Sequence, residues 1–265
     1  MLTEAQKRHF ETFGFLIIRQ LFTQNEIDLI RRESDRLLAA NRQGKAFSAT
    51  KRQSIIPFFE RSPVLLPFIA DDRLHAIATS LLGPDYILNA SEGNLHVGDT
   101  RWHGGSVDEI LPHIKIAFYL EPTTKNTGAL RLMPGSHKAA FNGHLQPLSE
   151  ENGGTETMPF SVPQDQLPCV VFESQPGDVG IFSECTWHAV FGGAPGRSQH
   201  AISYQANPQN DAQLAYLKEL CAKYKYSLHP PEEMVKSDNP RIQNMISRLL
   251  ELGVGPPEPM PIFEG

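Results

Sequence analysis

The stretch Trp102-His103-Gly104-Gly105 is the most informative part of this chain, because it carries one predicted iron ligand and lacks the next one. Non-haem Fe(II) oxygenases usually hold iron with a His-x-Asp/Glu pair and a distant histidine. The predicted distant histidine is His188, which follows a stretch rich in Gly and Pro and the turn Pro176-Gly177-Asp178-Val179. A double-stranded β-helix presents metal ligands in this way. Gly105 stands at the acidic position without a side chain, so the third coordination position is predicted to be open to another anion.

From Tyr86 onward, short apolar runs alternate with turn residues. Many short strands separated by turn signals are typical of a sandwich or jelly roll and not of a parallel α/β fold. We therefore predict a mainly β fold with flanking helices, namely a double-stranded β-helix (jelly roll, cupin-like). The predicted strands are residues 14–18 in the N-terminal part, followed by 86–89, 92–97, 114–120, 129–133, 169–173, 179–182 and 201–206.

The predicted helices lie towards the two ends of the chain. Thr3 with Gln6, and Thr23 with Glu26, form capping boxes at two predicted helix starts. We predict one oxygenase-type domain over residues 1–265, with a helical part at about 1–85, a β-helix core at about 86–207 and C-terminal helices at about 211–252. The stretch 142–166 has few apolar residues and is predicted to be a long loop near the site mouth, a common place for a lid.

Composition narrows the class of protein. The chain has 265 residues, with 40% hydrophobic and 20% charged residues, an ordinary globular balance. The formal net charge of −6 argues against binding to a nucleic acid polymer. No apolar run approaches the roughly 20 residues that span a bilayer, and the first residues do not have the pattern of a signal peptide. The three cysteines share no metal-like spacing, so we expect a reduced, cytoplasmic protein with no membrane partner.

Arg197 follows a glycine-rich turn after His188. A planar guanidinium binds a carboxylate in bidentate fashion, which is what the distal carboxylate of 2-oxoglutarate requires. The alternative is an ordinary surface arginine in a turn. The two histidines favour the first interpretation.

The motifs around these residues resemble the phytanoyl-CoA dioxygenase family over most of residues 10–207. The resemblance implies a double-stranded β-helix that uses Fe(II), 2-oxoglutarate and O2. It implies that His103 and His188 are iron ligands and that Arg197 anchors the cosubstrate. Lys115 and Thr127 lie in neighbouring motifs as further cosubstrate candidates, Thr127 being the weaker, whereas His137 is expected to be structural. The motifs that carry the resemblance are residues 98–103, 115–120 and 128–137, the stretch from Pro176-Gly177-Asp178-Val179 to His188, and the stretch from Phe191-Gly192-Gly193 to Arg197.

Gly105 departs from the family, which has Asp at this position. One explanation is a halogenase, in which chloride occupies the vacated position and restores the missing negative charge, as in the similar iron halogenases with a His-x-Gly or His-x-Ala motif. A second is that another carboxylate substitutes, from Asp99, Asp108 or Glu109, although the spacing of all three is wrong for a ligand. A third is an inactive site or an engineered glycine. We favour the first explanation.

The predicted function is therefore chlorination of an unactivated C–H bond in a small molecule, with a nucleotide as the leading suggestion for that substrate. The alternatives are an Fe(II)- and 2-oxoglutarate-dependent hydroxylase and a non-catalytic cupin-like binding protein. Any of several basic residues could hold a phosphate or carboxylate, although each one singly is more often surface charge. They are Lys51, Arg52, Arg61, Arg101 and Arg131.

Overall fold

Two antiparallel β-sheets flanked by helices form the centre of the computed structural model, which describes residues 1–105, 110–148, 158 and 160–264. The strands are β1 (Phe15–Ile18), β2 (Gln53–Ile55), β3 (Tyr86–His96), β4 (Thr100–His103), β5 (His113–Phe118), β6 (Leu130–Leu132), β7 (Val170–Phe172), β8 (Val179–Ser183), β9 (His188–Val190) and β10 (Arg197–Ala206). One sheet has the order β1-β8-β5-β10-β3-β2, and the other has the order β4-β9-β6-β7. The predicted class, mainly β with flanking helices, is confirmed.

The two sheets pack face to face through apolar side chains from both. Leu132 and Phe172 of the four-stranded sheet lie in one buried cluster with Ala117 and Phe182 of the six-stranded sheet. Burial of each large side chain of this kind contributes about 1.5–3 kcal/mol relative to exposure. This contact holds the strands that carry the histidines against those that carry Lys115 and Arg197.

Strand β5 shows how the sheet separates core from site. Successive side chains of a strand point to opposite faces. Ile114, Ile116 and Phe118 accordingly pack in the cluster beneath the helices, whereas Lys115 and Ala117 line a cleft on the other face. The alternation along one strand thus places a lysine in a site without disturbing the core.

The helices cover the outer face of the six-stranded sheet and the end of the chain. Ile30 of α2, Ile77 of α4 and Ile246 of α8 share a buried cluster with the outward side chains of β5. Both predicted capping boxes are confirmed, at Thr3 and at Thr23. The helices are α1 (Glu4–Phe13), α2 (Gln24–Asn41), α3 (Leu66–Ile69), α4 (Asp72–Leu82), α5 (Ala139–Asn142), α6 (Asp211–Lys223), α7 (Glu232–Val235) and α8 (Pro240–Glu251). No helix in the described part of the chain is both long enough and apolar enough to cross a bilayer.

Several predicted strand boundaries are wrong. Two strands were expected at 86–89 and 92–97, but the chain forms the single strand β3, with a register shift opposite Ser203 and Tyr204. Pairing with β10 along its whole length outweighs the weak strand propensity of the residues between the predicted strands. Strands β2 and β9 have three residues each, too few to show an alternating pattern, and the sequence did not predict them.

The predicted loop 142–166 is only partly a loop. Gly143–Leu148 and Gln164–Gln166 form 3-10 helices. Leu145, Leu148 and Leu167 pack against Trp102 and Trp187, so the two ends of this stretch are anchored beside the strands of the histidines. Residues 149–157 and 159 lie outside the described residues.

Candidate metal and cosubstrate site

The two predicted iron ligands lie side by side on neighbouring strands. His103 ends β4 and is paired in register with His188, the first residue of β9. Their ring centroids are 4.1 Å apart, and the ring planes are inclined at 51°. Each Nδ1 lies 2.8 Å from a backbone carbonyl oxygen, that of Arg101 for His103 and that of Thr186 for His188. Donation from Nδ1–H to a carbonyl leaves the lone pair on Nε2, the state in which imidazole binds a metal.

Burial also keeps His188 in the state that a metal needs. Desolvation, together with the neighbouring His103, lowers the pKa of His188 to about 3. The imidazole is therefore neutral at physiological pH. A neutral ring competes for a metal ion without first losing a proton.

Gly105 provides no third protein ligand. Its backbone N–H donates to the carbonyl oxygen of Glu184, with 2.6 Å between nitrogen and oxygen. Among the residues that the structure describes, no three His, Cys, Asp or Glu side chains are grouped closely enough to hold a metal ion. Asp99 instead accepts a hydrogen bond from the backbone of Gly192 at 2.7 Å. The other two acidic candidates, Asp108 and Glu109, lie outside the described residues.

The Arg197 side chain is buried without a hydrogen-bond partner for two of its nitrogen atoms. It opens strand β10 and is 5% exposed, and neither Nε nor Nη1 has a partner in the described structure. A Cβ atom added to Gly128 or Gly193 would collide with Nη1, so these two glycines leave the space that the guanidinium occupies. Gly128 also has a φ of +89°, a conformation that other residues rarely adopt. Burial lowers the pKa of Arg197, but a guanidinium keeps its charge in proteins.

A small cleft of about 80 Å³ brings the two histidines together with Arg197. Phe182, Leu130 and Val190 form apolar parts of its wall. The donor set fits the predicted groups, because two Nε2 atoms can hold Fe(II) and the unpartnered guanidinium can hold the carboxylate of 2-oxoglutarate.

The other two cosubstrate candidates are placed differently. Lys115 lines the cleft, but its ammonium lies 3.0 Å from a carboxylate oxygen of Glu92 and 3.0 Å from one of Glu184. Thr127 is exposed, and its hydroxyl accepts from the backbone N–H of Thr124 at 2.8 Å. The structure therefore gathers His103, His188, Arg197 and Lys115 in one cleft and leaves Thr127 outside its lining.

Several polar cleft residues were not predicted as part of the metal and cosubstrate site. Arg52 was named only as a possible anion-binding residue, whereas His96, Tyr119 and Gln199 were not named at all. Gln199 could have been found, because it lies two positions after Arg197 and therefore on the same face of β10. The other three reach the cleft through strand pairing that the sequence does not display.

The remaining basic candidates have structural contacts or lie outside the cleft. Arg131 is buried and donates to the carbonyl oxygens of Asp165 and Lys125. Arg61 donates to the carbonyl oxygen of Pro57, and the ammonium of Lys51 lies over the Phe263 ring. Arg101 is exposed on β4. His137, expected to be structural, bonds the carbonyl oxygen of Glu11 through Nε2.

Comparison with known proteins places this site in a family. The sequence model of the phytanoyl-CoA dioxygenase family matches residues 10–194, which include both histidines. The chain belongs to that family. Similar curated proteins include the ectoine dioxygenase of Stutzerimonas stutzeri, 28% identical over 146 residues, which are 49% of this chain and 48% of the relative. The ectoine dioxygenase of Sphingopyxis alaskensis is 24% identical over 154 residues, 52% of this chain and 50% of the relative. The chain thus spans about half the length of the curated relatives it matches.

Solved structures of similar proteins share the family fold. HygX from Streptomyces hygroscopicus, with nickel and 2-oxoglutarate bound, superimposes with a TM-score of 0.65 at 22% identity, over 78% of this chain and 88% of HygX. The α-ketoglutarate-dependent epimerase SnoN from nogalamycin biosynthesis gives a TM-score of 0.58 at 18% identity, over 77% of this chain and 82% of SnoN. At these identities the likeness concerns the fold alone.

Proposed function

We propose that this chain is an Fe(II)- and 2-oxoglutarate-dependent oxidoreductase, built on a double-stranded β-helix, that acts on an unactivated C–H bond of a small molecule. The observation that carries this proposal is the buried, unpartnered guanidinium of Arg197 in the same cleft as His103 and His188. A buried cation without a partner is costly, typically by more than the 1–3 kcal/mol of a neutral group. The carboxylate of 2-oxoglutarate would remove that cost.

The protein groups have separate roles in this proposal. His103 and His188 would hold the metal through Nε2, and the carbonyl oxygens of Arg101 and Thr186 orient their rings. When bound, the metal supplies the activation of O2 that is coupled to conversion of 2-oxoglutarate into succinate and CO2. Arg197 would fix the orientation of the keto acid relative to the histidines. The apolar wall of the cleft limits access of water.

We further propose that the reaction is halogenation, with chloride in the position that Gly105 leaves open. Two neutral imidazoles contribute no charge, so chloride would supply the single negative charge that an aspartate normally gives. The proposal is supported by the glycine at the family's acidic position and by the fact that the described residues supply no acidic group in its place. Hydroxylation is the second candidate, because the similar curated proteins are dioxygenases.

The test adds Fe(II) and 2-oxoglutarate to the protein without oxygen, in sulfate, chloride or bromide buffer. A weak visible charge-transfer band is expected when the keto acid chelates the iron, and no band would favour a non-catalytic cupin-like binding protein. For a halogenase the band should shift on addition of chloride or bromide, in a saturable manner. A band that is identical in all three buffers would favour the hydroxylase.

A further inference from the structure

A second cavity, of about 500 Å³, adjoins the cleft on the inner face of the six-stranded sheet. Glu92 and Lys115 line both spaces, and Gly105 lines the larger one. The two spaces follow β10 in order, since Arg197 lines the cleft whereas Ser203 and Gln205 line the cavity. The cavity therefore extends from the site of the proposed chemistry along the sheet.

Helix α6 forms the outer wall of this cavity. Tyr216, Glu219, Leu220 and Lys223 line it, and their spacing of three and four residues places them on one face of a helix. Leu217 anchors the helix in a buried cluster with Ile87 and Leu249. The family match covers residues 10–194, so this wall comes from a part of the chain outside the matched residues. Such a wall is suited to set specificity that differs within the family.

The floor of the cavity combines two carboxylates with one ammonium. Lys115 lies 3.0 Å from both Glu92 and Glu184, and Arg52 lies 3.7 Å from Glu92. The side chains of Glu92, Lys115 and Glu184 are only 14–19% exposed. Arg52 lines the cleft and not the cavity, so the charged side chains that line the cavity are the carboxylates of Glu92, Glu184 and Glu219 and the ammoniums of Lys115 and Lys223, with a formal charge of −1. A carboxylate can accept about four hydrogen bonds, so Glu184 retains capacity for donors from a ligand.

Polar groups without partners face the same space. The Ser203 side chain is 2% exposed and lines the cavity, and its hydroxyl has no hydrogen bond in the described structure. The Nε2 atom of His113 is also buried and has no hydrogen-bond partner there, and it lies 4.0 Å from a carboxylate oxygen of Glu184. Asn89 donates to Gln205 at 3.0 Å on the adjacent wall. Buried polar groups are normally satisfied, so His113 Nε2 together with the Ser203 hydroxyl on the cavity wall points to a polar ligand.

We propose that this cavity is the substrate chamber and that it selects a polar, uncharged or cationic molecule, whose hydroxyl or ammonium donors are bound by Glu184 with Ser203 and His113. The inference rests on the proposed function, because the chamber is assigned by its continuity with the two-histidine cleft. Hydroxyl and ammonium groups share the donor chemistry that a carboxylate recognises. The competing proposal is a nucleotide, which the sequence suggested. Its phosphate would require a cation that no carboxylate already balances.

Three sugars of similar size test the chamber: D-glucosamine, D-glucose and D-glucose 6-phosphate. Each is titrated by calorimetry, without oxygen, into protein loaded with Fe(II) and 2-oxoglutarate. We expect glucosamine to bind most tightly, glucose more weakly and glucose 6-phosphate most weakly. Tightest binding by the phosphate would overturn the inference in favour of an anionic substrate, and binding by none of the three would also overturn it.

Variants separate this inference from the proposed function. Glu184→Gln should weaken glucosamine at least tenfold and glucose less, and Ser203→Ala should weaken both several-fold. Leu220→Trp should exclude all three sugars by filling the chamber without a change of charge. Glu26→Gln, which alters the ion pair between Glu26 on α2 and Arg73 on α4, is the matched control and should bind like wild type. Wild-type affinity in Leu220→Trp contradicts the chamber. Absence of the visible charge-transfer band from wild-type protein with Fe(II) and 2-oxoglutarate would contradict the proposed function instead.

Discussion

The backbone N–H of Gly105 donates to the carbonyl oxygen of Glu184, while the Glu184 carboxylate pairs with Lys115 at 3.0 Å. The residue that replaces the expected iron ligand is thus held next to an acidic residue that forms an ion pair with Lys115. Lys115 holds the pKa of the Glu184 carboxyl at about 2 despite its burial. With Lys115 engaged by two carboxylates, Arg197 is the cation in the cleft best placed to receive a cosubstrate.

Replacement of either histidine by alanine is expected to abolish 2-oxoglutarate turnover. Loss of a partner that merely orients a ligand typically costs 10–100-fold, so loss of a ligand should cost at least about 100-fold. The measurement is succinate formation by His103→Ala and His188→Ala, with bound iron quantified in parallel. His9→Ala, at an exposed position on α1, is the control. Normal succinate release by either site variant would refute the metal assignment.

The Arg197→Leu variant should require far more 2-oxoglutarate. Removal of one partner from a buried charge pair costs about 2–5 kcal/mol, which is roughly a 30-fold or greater rise in KM. Iron affinity should change little, because Arg197 does not contact either histidine through any hydrogen bond in the described structure. Arg36→Leu, which removes a surface ion pair with Glu33, should leave KM unchanged. An unchanged KM in Arg197→Leu would mean that another basic side chain anchors the carboxylate of 2-oxoglutarate.

The glycine beside that guanidinium gives an independent prediction. A Cβ at Gly193 would collide with Arg197 Nη1, so Gly193→Ala should displace the guanidinium and raise KM for 2-oxoglutarate by several-fold or more. Gly143→Ala is the matched control, because a Cβ there meets nothing within 4 Å. KM is measured from initial rates of succinate formation. Equal values in both variants would show that the space left by Gly193 is unimportant.

The buried Glu60 carboxyl predicts a fall in stability as pH rises. Its side chain is 2% exposed, and burial raises its pKa from 4.5 to about 7 although Ser91 donates to it. Because the folded-state pKa is the higher one, the stabilisation is complete below about pH 4.5 and is lost as the pH rises through about 7. The difference corresponds to about 3 kcal/mol. Glu60→Gln should therefore raise the free energy of unfolding at pH 8 and flatten its decrease between pH 5 and 8, as chemical denaturation would show. If the free energy of unfolding of this variant depended on pH as in the wild type, a group other than Glu60 would cause the decrease.

Local signals explain which parts of the molecule the sequence could predict. The capping boxes at Thr3 and Thr23 depend on residues three positions apart, so the chain itself displays them. Strand β2 and the full length of β3 depend on a partner far along the chain, and no local pattern reveals them. Within the site, the motifs indicated His103, His188 and Arg197. The engagement of Lys115 by Glu92 and Glu184 could not be predicted, because these three residues lie on separate segments of the chain.

The last prediction concerns Gly105, where a glycine stands at the usual position of a carboxylate ligand while the other motifs are present. Gly105→Asp would place a carboxylate where the proposed chloride sits, and two anions cannot share one coordination position. The halide-dependent shift of the 2-oxoglutarate band should therefore disappear. A gain of hydroxylation is not required, because displacement of the backbone that bonds Glu184 would leave the variant inactive.

The control for this variant is Gly255→Asp, which adds the same charge at a position where a Cβ meets nothing within 4 Å. It should keep the halide response of the wild type. Once a substrate is known, the wild-type product formed in chloride or bromide buffer should carry the corresponding halogen, identified by its isotope pattern in mass spectrometry. A solely hydroxylated product, formed at a rate indifferent to chloride, would defeat halogenation and establish the hydroxylase instead. The two-histidine assignment would survive that result, because it depends on His103 and His188 and not on the identity of the third ligand.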